Sequence, residues 1–137
     1  MHFFCFLLCI VFISVTVNAK TITIYCQNDY KGQINTPDGQ WKEDKIETGK
    51  GEIFYIDTKL LPNATLSWQQ KDNMGSQTLT SFLLDNSVVF FETMLDGINV
   101  YQYYFSYNKM FRTKINSILG SAPYAGVWYT SCTYTIQ

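Results

Sequence analysis

Side chains that commonly carry catalysis or bind metals are scarce in this sequence. The only histidine, His2, lies in an apolar N-terminal stretch that also holds Cys5 and Cys9. The rest of the chain therefore has no Ser-His-Asp or Cys-His nucleophilic site and no histidine-containing zinc site. We expect a protein that is not an enzyme and that uses no metal or cofactor.

Carboxylate chemistry remains available, and Glu92 is its one candidate. It interrupts the apolar run VVFFETML, whose neighbours would desolvate the carboxyl group and raise its pKa toward use as a general acid. The alternative is a residue at a solvated edge, or one that accepts a hydrogen bond from Tyr101, its predicted cross-strand neighbour. A carboxylate-based hydrolase is therefore only a remote alternative.

A row of aromatic residues forms the second candidate site. The stretch VYQYYFSY places Tyr101, Tyr103, Phe105 and Tyr107 on one face of a predicted strand. Such a row can stack on a sugar or line the cavity of a carrier for a small apolar ligand. It can equally be core packing, since bulky inward residues fill a small barrel.

The first nineteen residues predict a signal peptide. They contain an apolar run without acidic residues, lysine or arginine, and Val17 and Ala19 favour cleavage before Lys20. The run is about fifteen residues long, short of the roughly twenty that a membrane-spanning helix needs. An uncleaved anchor is the alternative. We expect a secreted or periplasmic protein with one β domain at residues 20–137.

Two cysteines then remain, Cys26 and Cys132. In an oxidising compartment they predict one disulfide between the first and last strands. Closing a loop of that length stabilises the fold by roughly 4–5 kcal/mol on the chain-entropy account. Two free thiols are the alternative.

Charge limits the choice of partner. The formal net charge is −1 and Arg112 is the single arginine, so the chain has no basic patch for nucleic acid. Asn63 opens the motif NAT, which fits an N-glycosylation acceptor in a eukaryotic secretory pathway.

The pattern of apolar residues predicts an all-β fold. Runs rich in Ile, Val, Thr, Tyr and Phe have period two and are spaced by turn residues. About eight strands in a small antiparallel β-barrel or a sandwich are expected, and the disulfide favours the barrel because closure pairs first with last. The predicted strands are Thr21–Gln27, Lys31–Thr36, Gln40–Lys42, Glu52–Asp57, Thr65–Gln70, Leu79–Leu84, Val88–Leu95, Ile98–Ser106 and Val127–Thr135, with a further one plausible at Met110–Lys114.

Turn signals add local detail. TPDGQ predicts a turn in which Gly39 takes a positive φ. LDGI predicts a hairpin with Asp96 and Gly97 at its tip, which sets Leu95 opposite Ile98. The charged stretch KEDKIETGKGE and the stretch KDNMGSQ predict exposed loops. TKINSILG predicts either one helical turn or irregular strand.

Two resemblances bear on the architecture. The segment YAGVWYTSC resembles the lipocalin signature, with Gly126, Trp128 and Tyr129 matching its glycine, tryptophan and tyrosine. Lipocalins carry that signature near the N-terminus, whereas only eight residues follow Tyr129 here. The resemblance implies a barrel strand that begins at a glycine, and a barrel of lipocalin-like size, without implying membership.

Small periplasmic lysozyme inhibitors are similar in size, in having a signal peptide and in being disulfide-tied β-barrels. Their loop of serine and glycine followed by a basic residue and tyrosine is approached by GSAPYAG, from Gly120, which lacks the basic residue. This is a likeness of architecture alone. Together these observations predict a secreted, monomeric, non-catalytic binding protein, such as an inhibitor or immunity-type protein engaging a protein partner; the alternative is the apolar-ligand carrier.

Overall fold

A computed structural model describes residues 19–70, 73–95, 97–116 and 124–137. In these ranges the chain forms eleven β-strands and no helix, and so no helix that could cross a membrane. The predicted signal peptide falls almost entirely outside the described residues and stays a prediction. The strands are β1 (Thr21–Cys26), β2 (Tyr30–Asn35), β3 (Trp41–Ile46), β4 (Glu52–Asp57), β5 (Asn63–Gln70), β6 (Asn73–Leu83), β7 (Ser87–Met94), β8 (Gly97–Tyr104), β9 (Lys109–Asn116), β10 (Tyr124–Ser131) and β11 (Thr133–Ile136).

All eleven strands belong to one antiparallel sheet that curls into a half-barrel. Their order is β11-β1-β4-β5-β6-β7-β8-β9-β10-β2-β3. The curl brings side chains of distant strands together: the Phe54 ring on β4 lies 4.9 Å from Phe90 on β7 and 5.2 Å from Tyr101 on β8. The predicted all-β class and barrel-like curvature are confirmed at this level, as a half-barrel of eleven strands rather than a small barrel or sandwich of about eight.

The first and last strands meet, as the sequence predicts. β1 pairs with β11, with Tyr25 opposite Thr133. Cys26 ends β1 and forms a disulfide with Cys132, which separates β10 from β11. This disulfide confirms the predicted pair. Before Cys132, β10 pairs with β2, and after it β11 pairs with β1. We call this junction around the Cys26–Cys132 disulfide the seam.

The largest differences between the predicted strands and the structure lie in three places. The first half of the charged stretch, residues 42–46, belongs to strand β3 instead of a loop, because an edge strand can keep its side chains in solvent. Residues 47–51 lie outside the strands, as predicted. Most of the other predicted loop is strand too, since β6 begins at Asn73. The predicted last strand is interrupted at Cys132. The end of the segment predicted as a helical turn, residues 117–120, lies outside the described residues, and its start belongs to β9.

The predicted β7–β8 register is wrong by two residues. Met94 pairs with Gly97 and Thr93 with Ile98, so Gly97 belongs to β8 instead of the tip of the hairpin. Asp96, the other predicted tip residue, lies outside the described residues. Gly97 serves a close approach instead of a turn: a Cβ there would lie 2.2 Å from the carbonyl oxygen of Ile115 on β9. Because the shift is even, every side chain keeps its predicted face.

The inner face of the curled sheet carries the core. Strand alternation sends one set of residues inward, and large aromatic and β-branched side chains fill the space between facing strands. The buried hydrophobic residues are Ile22, Ile24, Cys26, Tyr30, Phe54, Ile56, Ala64, Leu66, Leu79, Val88, Phe90, Tyr101, Tyr103, Met110, Trp128 and Cys132.

Candidate functional site

The predicted aromatic row is divided between the core and the surface. Tyr101 and Tyr103 point inward from β8 and are fully buried, and Phe105, just beyond the strand, packs partly buried against the core. Tyr107 lies in the following turn, is 70% exposed, and contacts Tyr104 of the outer face at 6.2 Å between ring centroids. The structure therefore brings three of the four side chains to the interior and leaves the fourth outside.

Protein atoms occupy the space around the buried members of this row. The Tyr103 ring lies 5.4 Å from Phe105 and 5.9 Å from Tyr134 of β11. The Tyr103 hydroxyl donates a hydrogen bond to Asn108 at 2.9 Å. Burial raises the pKa of Tyr103 to about 12, so its hydroxyl stays protonated at neutral pH. A carrier would need ligand space at these positions, where the observed contacts are core packing.

A cluster of polar side chains lies inside the half-barrel, beside the core. We call it the interior cluster. Strands β2, β4, β6, β7, β8 and β9 each contribute to it through residues on their inner face. Its members are Tyr30, Glu52, Gln77, Glu92, Asn99, Tyr101 and Arg112.

Glu92 is the acceptor for three side chains of this cluster. Tyr101 donates at 2.9 Å, Asn99 at 2.6 Å and Gln77 at 2.5 Å. Burial alone would raise the pKa of Glu92, but these hydrogen bonds and the nearby Arg112 lower it below its ordinary value. The predicted upward shift is therefore wrong, because amide and hydroxyl donors converge on the carboxylate. The alternative, in which Glu92 accepts a hydrogen bond from Tyr101, is observed.

Glu52 is the second carboxylate of the interior cluster. It accepts a hydrogen bond from Tyr30 at 2.9 Å and lies 3.8 Å from a guanidinium nitrogen of Arg112. Burial raises the pKa of Glu52, and Arg112 and Tyr30 offset part of that shift. The Arg112 guanidinium also lies 5.0 Å from the centroid of the Tyr101 ring, within cation–π range.

The interior cluster thus holds one carboxyl group that retains its proton more readily and one that stays ionised. Acid–base pairs in enzymes show such a difference. Here, however, both carboxylates are engaged by donors from the protein itself. A general acid at Glu92 would need a raised pKa, and the hydrogen bonds from Asn99, Gln77 and Tyr101 act in the opposite direction.

An open groove runs along the outer face of β2, β3 and β10, with a volume of about 1090 Å³. We call it the outer groove. Its apolar surface comes from Trp41, Val127 and Tyr129, which are 53%, 45% and 48% exposed. Both signs of charge surround them. The lining residues are Lys31, Gly32, Gln33, Trp41, Glu43, Asp44, Lys45, Val127 and Tyr129.

Contacts from the opposite face of these strands hold the groove in place. Trp128 on β10 points inward and donates its indole N–H to Asp44 on β3 at 2.8 Å. The intervening β2 residue is Gly32, where a Cβ would lie 2.0 Å from the carbonyl oxygen of Val127. On the outer face, Lys45 forms an ion pair with Asp29 at 2.8 Å. The hydrogen bond that Lys45 donates within this ion pair is the main cause of the lowered pKa of Asp29.

Aromatic rings extend the groove across the neighbouring strands. Phe111 on β9 lies 6.3 Å from Tyr129 and 5.8 Å from Tyr104 on β8. The ammonium group of Lys109 lies 5.6 Å from the centroid of the Tyr129 ring. These rings form an exposed aromatic band beside the groove. The packing of the sheet itself does not need aromatic side chains at these outward positions.

The sequence analysis did not identify the outer groove. Its signal was the alternation within GVWYTSC, in which Trp128 and Tyr129 must point to opposite faces. The partner residue Trp41 could not be assigned to the same face without the β2–β3 and β2–β10 pairings. The glycosylation candidate Asn63 lies elsewhere, exposed at the start of β5.

Comparison with known proteins adds no relative. A scan of protein families, a search of curated proteins and a search of solved structures each found no match to this chain. Within the described ranges, no group of three or more histidine, cysteine or acidic residues could hold a metal ion. The functional argument therefore depends on the geometry of the two sites above.

Proposed function

We propose that this protein is a secreted, non-catalytic binding protein that engages a protein partner through the outer groove, as an inhibitor or immunity-type protein would. The main support for this proposal is that Trp41 and Tyr129 are about half exposed on the same face, with Val127 beside them. Tryptophan and tyrosine are the residues most enriched among those that dominate protein–protein binding energy.

The charges around the groove favour a protein over an apolar small molecule. Lys31 and Lys45 lie on the same outer face as Glu43, so the apolar centre has a polar rim of both signs. Protein interfaces combine such a centre and rim. A carrier site would instead be concave and enclosed by apolar side chains.

The groove is also held in its shape before binding. The Trp128–Asp44 hydrogen bond and the Lys45–Asp29 ion pair fix β3 against its neighbours. Preorganisation reduces the ordering cost that opposes association. The edge strand β3 carries two lysines and two acidic residues, which discourage addition of a partner strand. Contact through side chains is therefore the expected mode.

A photo-crosslinking amino acid at position 41 tests the proposal in the extracellular fluid of the source. We expect one saturable protein adduct from position 41 and none from position 55, where Tyr55 is exposed on β4. With that partner purified, Trp41→Ala should weaken binding by about 30-fold or more, as a hot-spot truncation does. Tyr55→Ala is the matched control and should bind like the wild type.

Two results would contradict the proposal. One is equal crosslinking from positions 41 and 55. The other is a partner whose affinity is the same for Trp41→Ala, Tyr129→Ala and the wild type.

A further inference from the structure

A carboxylate, an amide and an amine lie side by side on the inner face of the curled sheet. Glu92 on β7 pairs with Asn99 on β8, and Asn99 pairs with Lys114 on β9. Directly paired residues of antiparallel strands point to the same face, with their Cβ atoms about 5 Å apart. We call these three residues the inner row. None of them lines the outer groove.

Asn99 is held in one orientation at the centre of the inner row. The residue is fully buried, and its amide nitrogen donates a hydrogen bond to Glu92 Oε2 at 2.6 Å. Its amide oxygen is also buried and has no hydrogen-bond partner among the described residues. Buried polar atoms are normally paired, and an asparagine kept only for its structural contacts would lose stability from that unpaired oxygen.

Lys114 brings an amine to the other side of the same amide. It lies half-buried on the inner face of β9, between Arg112 and the buried Asn116. A lysine has a flexible four-carbon stem, which is long enough to carry Nζ across a direct cross-strand spacing to the amide carbon of Asn99. Glu92 and Lys114 therefore flank one amide group from the two adjacent strands.

Aromatic rings border this arrangement on both sides. Tyr101, two positions further along β8 on the same face, is buried, and its hydroxyl donates to the Glu92 carboxylate. On the other side, Lys114 pairs with Gly126 of β10, where a Cβ would lie 1.9 Å from the Trp128 ring. These rings limit the access of water, which would compete with the amine for the amide carbon.

We propose that Lys114 and Asn99 form an intramolecular isopeptide bond, with Glu92 transferring the proton. The Glu92 carboxylate takes a proton from the Lys114 ammonium group, and the neutral Nζ attacks the amide carbon Cγ of Asn99. The Cγ–Nδ2 bond then breaks as Glu92 gives that proton to Nδ2, to which it is already hydrogen-bonded. The attacking nitrogen gives up a second proton, so the departing group leaves as an ammonium ion. Atoms and charge balance without an oxidant or a cofactor.

The surroundings of Glu92 suit this transfer. Burial would raise the pKa of Glu92, but the hydrogen bonds from its three neighbours lower it, so the carboxylate begins ionised and can take a proton. The new amide keeps one N–H, on Nζ, which replaces the Asn99 nitrogen as a donor to Glu92. The bond would join β8 to β9 within the sheet, whereas the disulfide joins its ends. This inference is independent of the proposed function, because the inner row and the outer groove lie on opposite faces.

The intact mass of the secreted protein tests the bond. We expect the wild type to be lighter than its mature sequence by one ammonia, about 17 Da. Lys114→Arg and Asn99→Ala should abolish the loss, and Glu92→Gln should slow its appearance after synthesis by about 100-fold, as removal of a general acid–base group does. Lys42→Arg is the matched control. Lys42 continues the same row on β3 but pairs with Ile34, so this variant should lose ammonia like the wild type.

Peptide mapping of the wild type needs no variant that must fold. Trypsin cuts after Lys109 and Arg112, which lie between the two joined residues, so Asn99 and Lys114 fall in different peptides unless an amide links them. We expect one branched peptide that contains both. A wild type at its unmodified mass overturns the proposal. So does a loss of ammonia that persists in Lys114→Arg, because that reaction would lie within a single asparagine.

Discussion

The bond between Trp128 and Asp44 should control the position of the outer groove. It is the side-chain hydrogen bond that joins β10 to β3 across the intervening β2. The indole is buried and its N–H lies 2.8 Å from the carboxylate, while Asp44 is partly exposed. We perturb it by Asp44→Ala, by Trp128→Phe and by the two changes together.

The magnitude follows from burial and charge. A hydrogen bond to a charged group contributes about 1.5–3 kcal/mol, and the partial exposure of Asp44 places the coupling at the lower end, about 1–2 kcal/mol. Asp44→Ala leaves the buried indole N–H without that acceptor and should cost about 1–3 kcal/mol. Trp128→Phe loses the bond and also the indole packing beside Gly126, where a Cβ would lie 1.9 Å from the ring, so it should cost more.

Urea unfolding of the four proteins gives the coupling energy from a double-mutant cycle. Binding of the partner by each folded variant supplies a second readout. We expect Asp44→Ala to weaken binding although its main contact in the protein is on the opposite face from Trp41. Asp57→Ala, at the end of β4, is the control and should leave both quantities close to the wild type.

A coupling energy near zero would refute the reasoning on stability. It would mean that the β2–β3 backbone ladder alone holds the hairpin. A full coupling energy with unchanged partner affinity would refute the link between this bond and the groove. The two results can be distinguished because the double-mutant cycle measures free energies of unfolding, whereas the partner affinity is measured on the folded protein.

Three further changes have defined outcomes. Replacing Cys26 and Cys132 together by alanine should lower the free energy of unfolding by roughly 4–5 kcal/mol in urea, because the bond closes a separation of 106 residues; a loss under about 1 kcal/mol would contradict this. Glu92→Gln should cost about 1 kcal/mol at neutral pH. Since the pKa of Glu92 is lowered on folding from 4.5, that difference should vanish as pH falls through the folded pKa, and a constant difference in urea midpoints would refute it. Asn63→Gln should abolish a glycosidase-sensitive mass increase in secreting eukaryotic cells, and an unshifted wild type would end that prediction.

Local chemistry explains which features the sequence predicts. Period-two patterning identifies the strands, and oxidising conditions leave Cys26 and Cys132 as the one available pair. The turn at Gly39, with its φ of 78°, follows from residue type alone. Face assignments also hold where the register does not, because a shift of two residues preserves alternation.

Long-range pairing explains what the sequence leaves out. Nothing local to LDGI shows that Gly97 must meet the backbone of Ile115, so the turn takes different residues. Nothing near Glu92 shows that Gln77 of β6 and Asn99 of β8 converge on it. The direction of its pKa shift depends on those partners, and sequence neighbours alone gave the opposite sign.

The seam joins the proposed binding surface to the fold. On β10, Trp128 and Thr130 point inward, Tyr129 points into the groove, and Cys132 follows at the disulfide. Adjacent residues of one strand therefore serve the core, the binding surface and the closure of the sheet. A partner that binds only the ordered groove stabilises this seam by mass action. The protein lacking its disulfide should consequently regain part of its lost stability when the partner is saturating, as a rise in its urea midpoint, and an unchanged midpoint would contradict this.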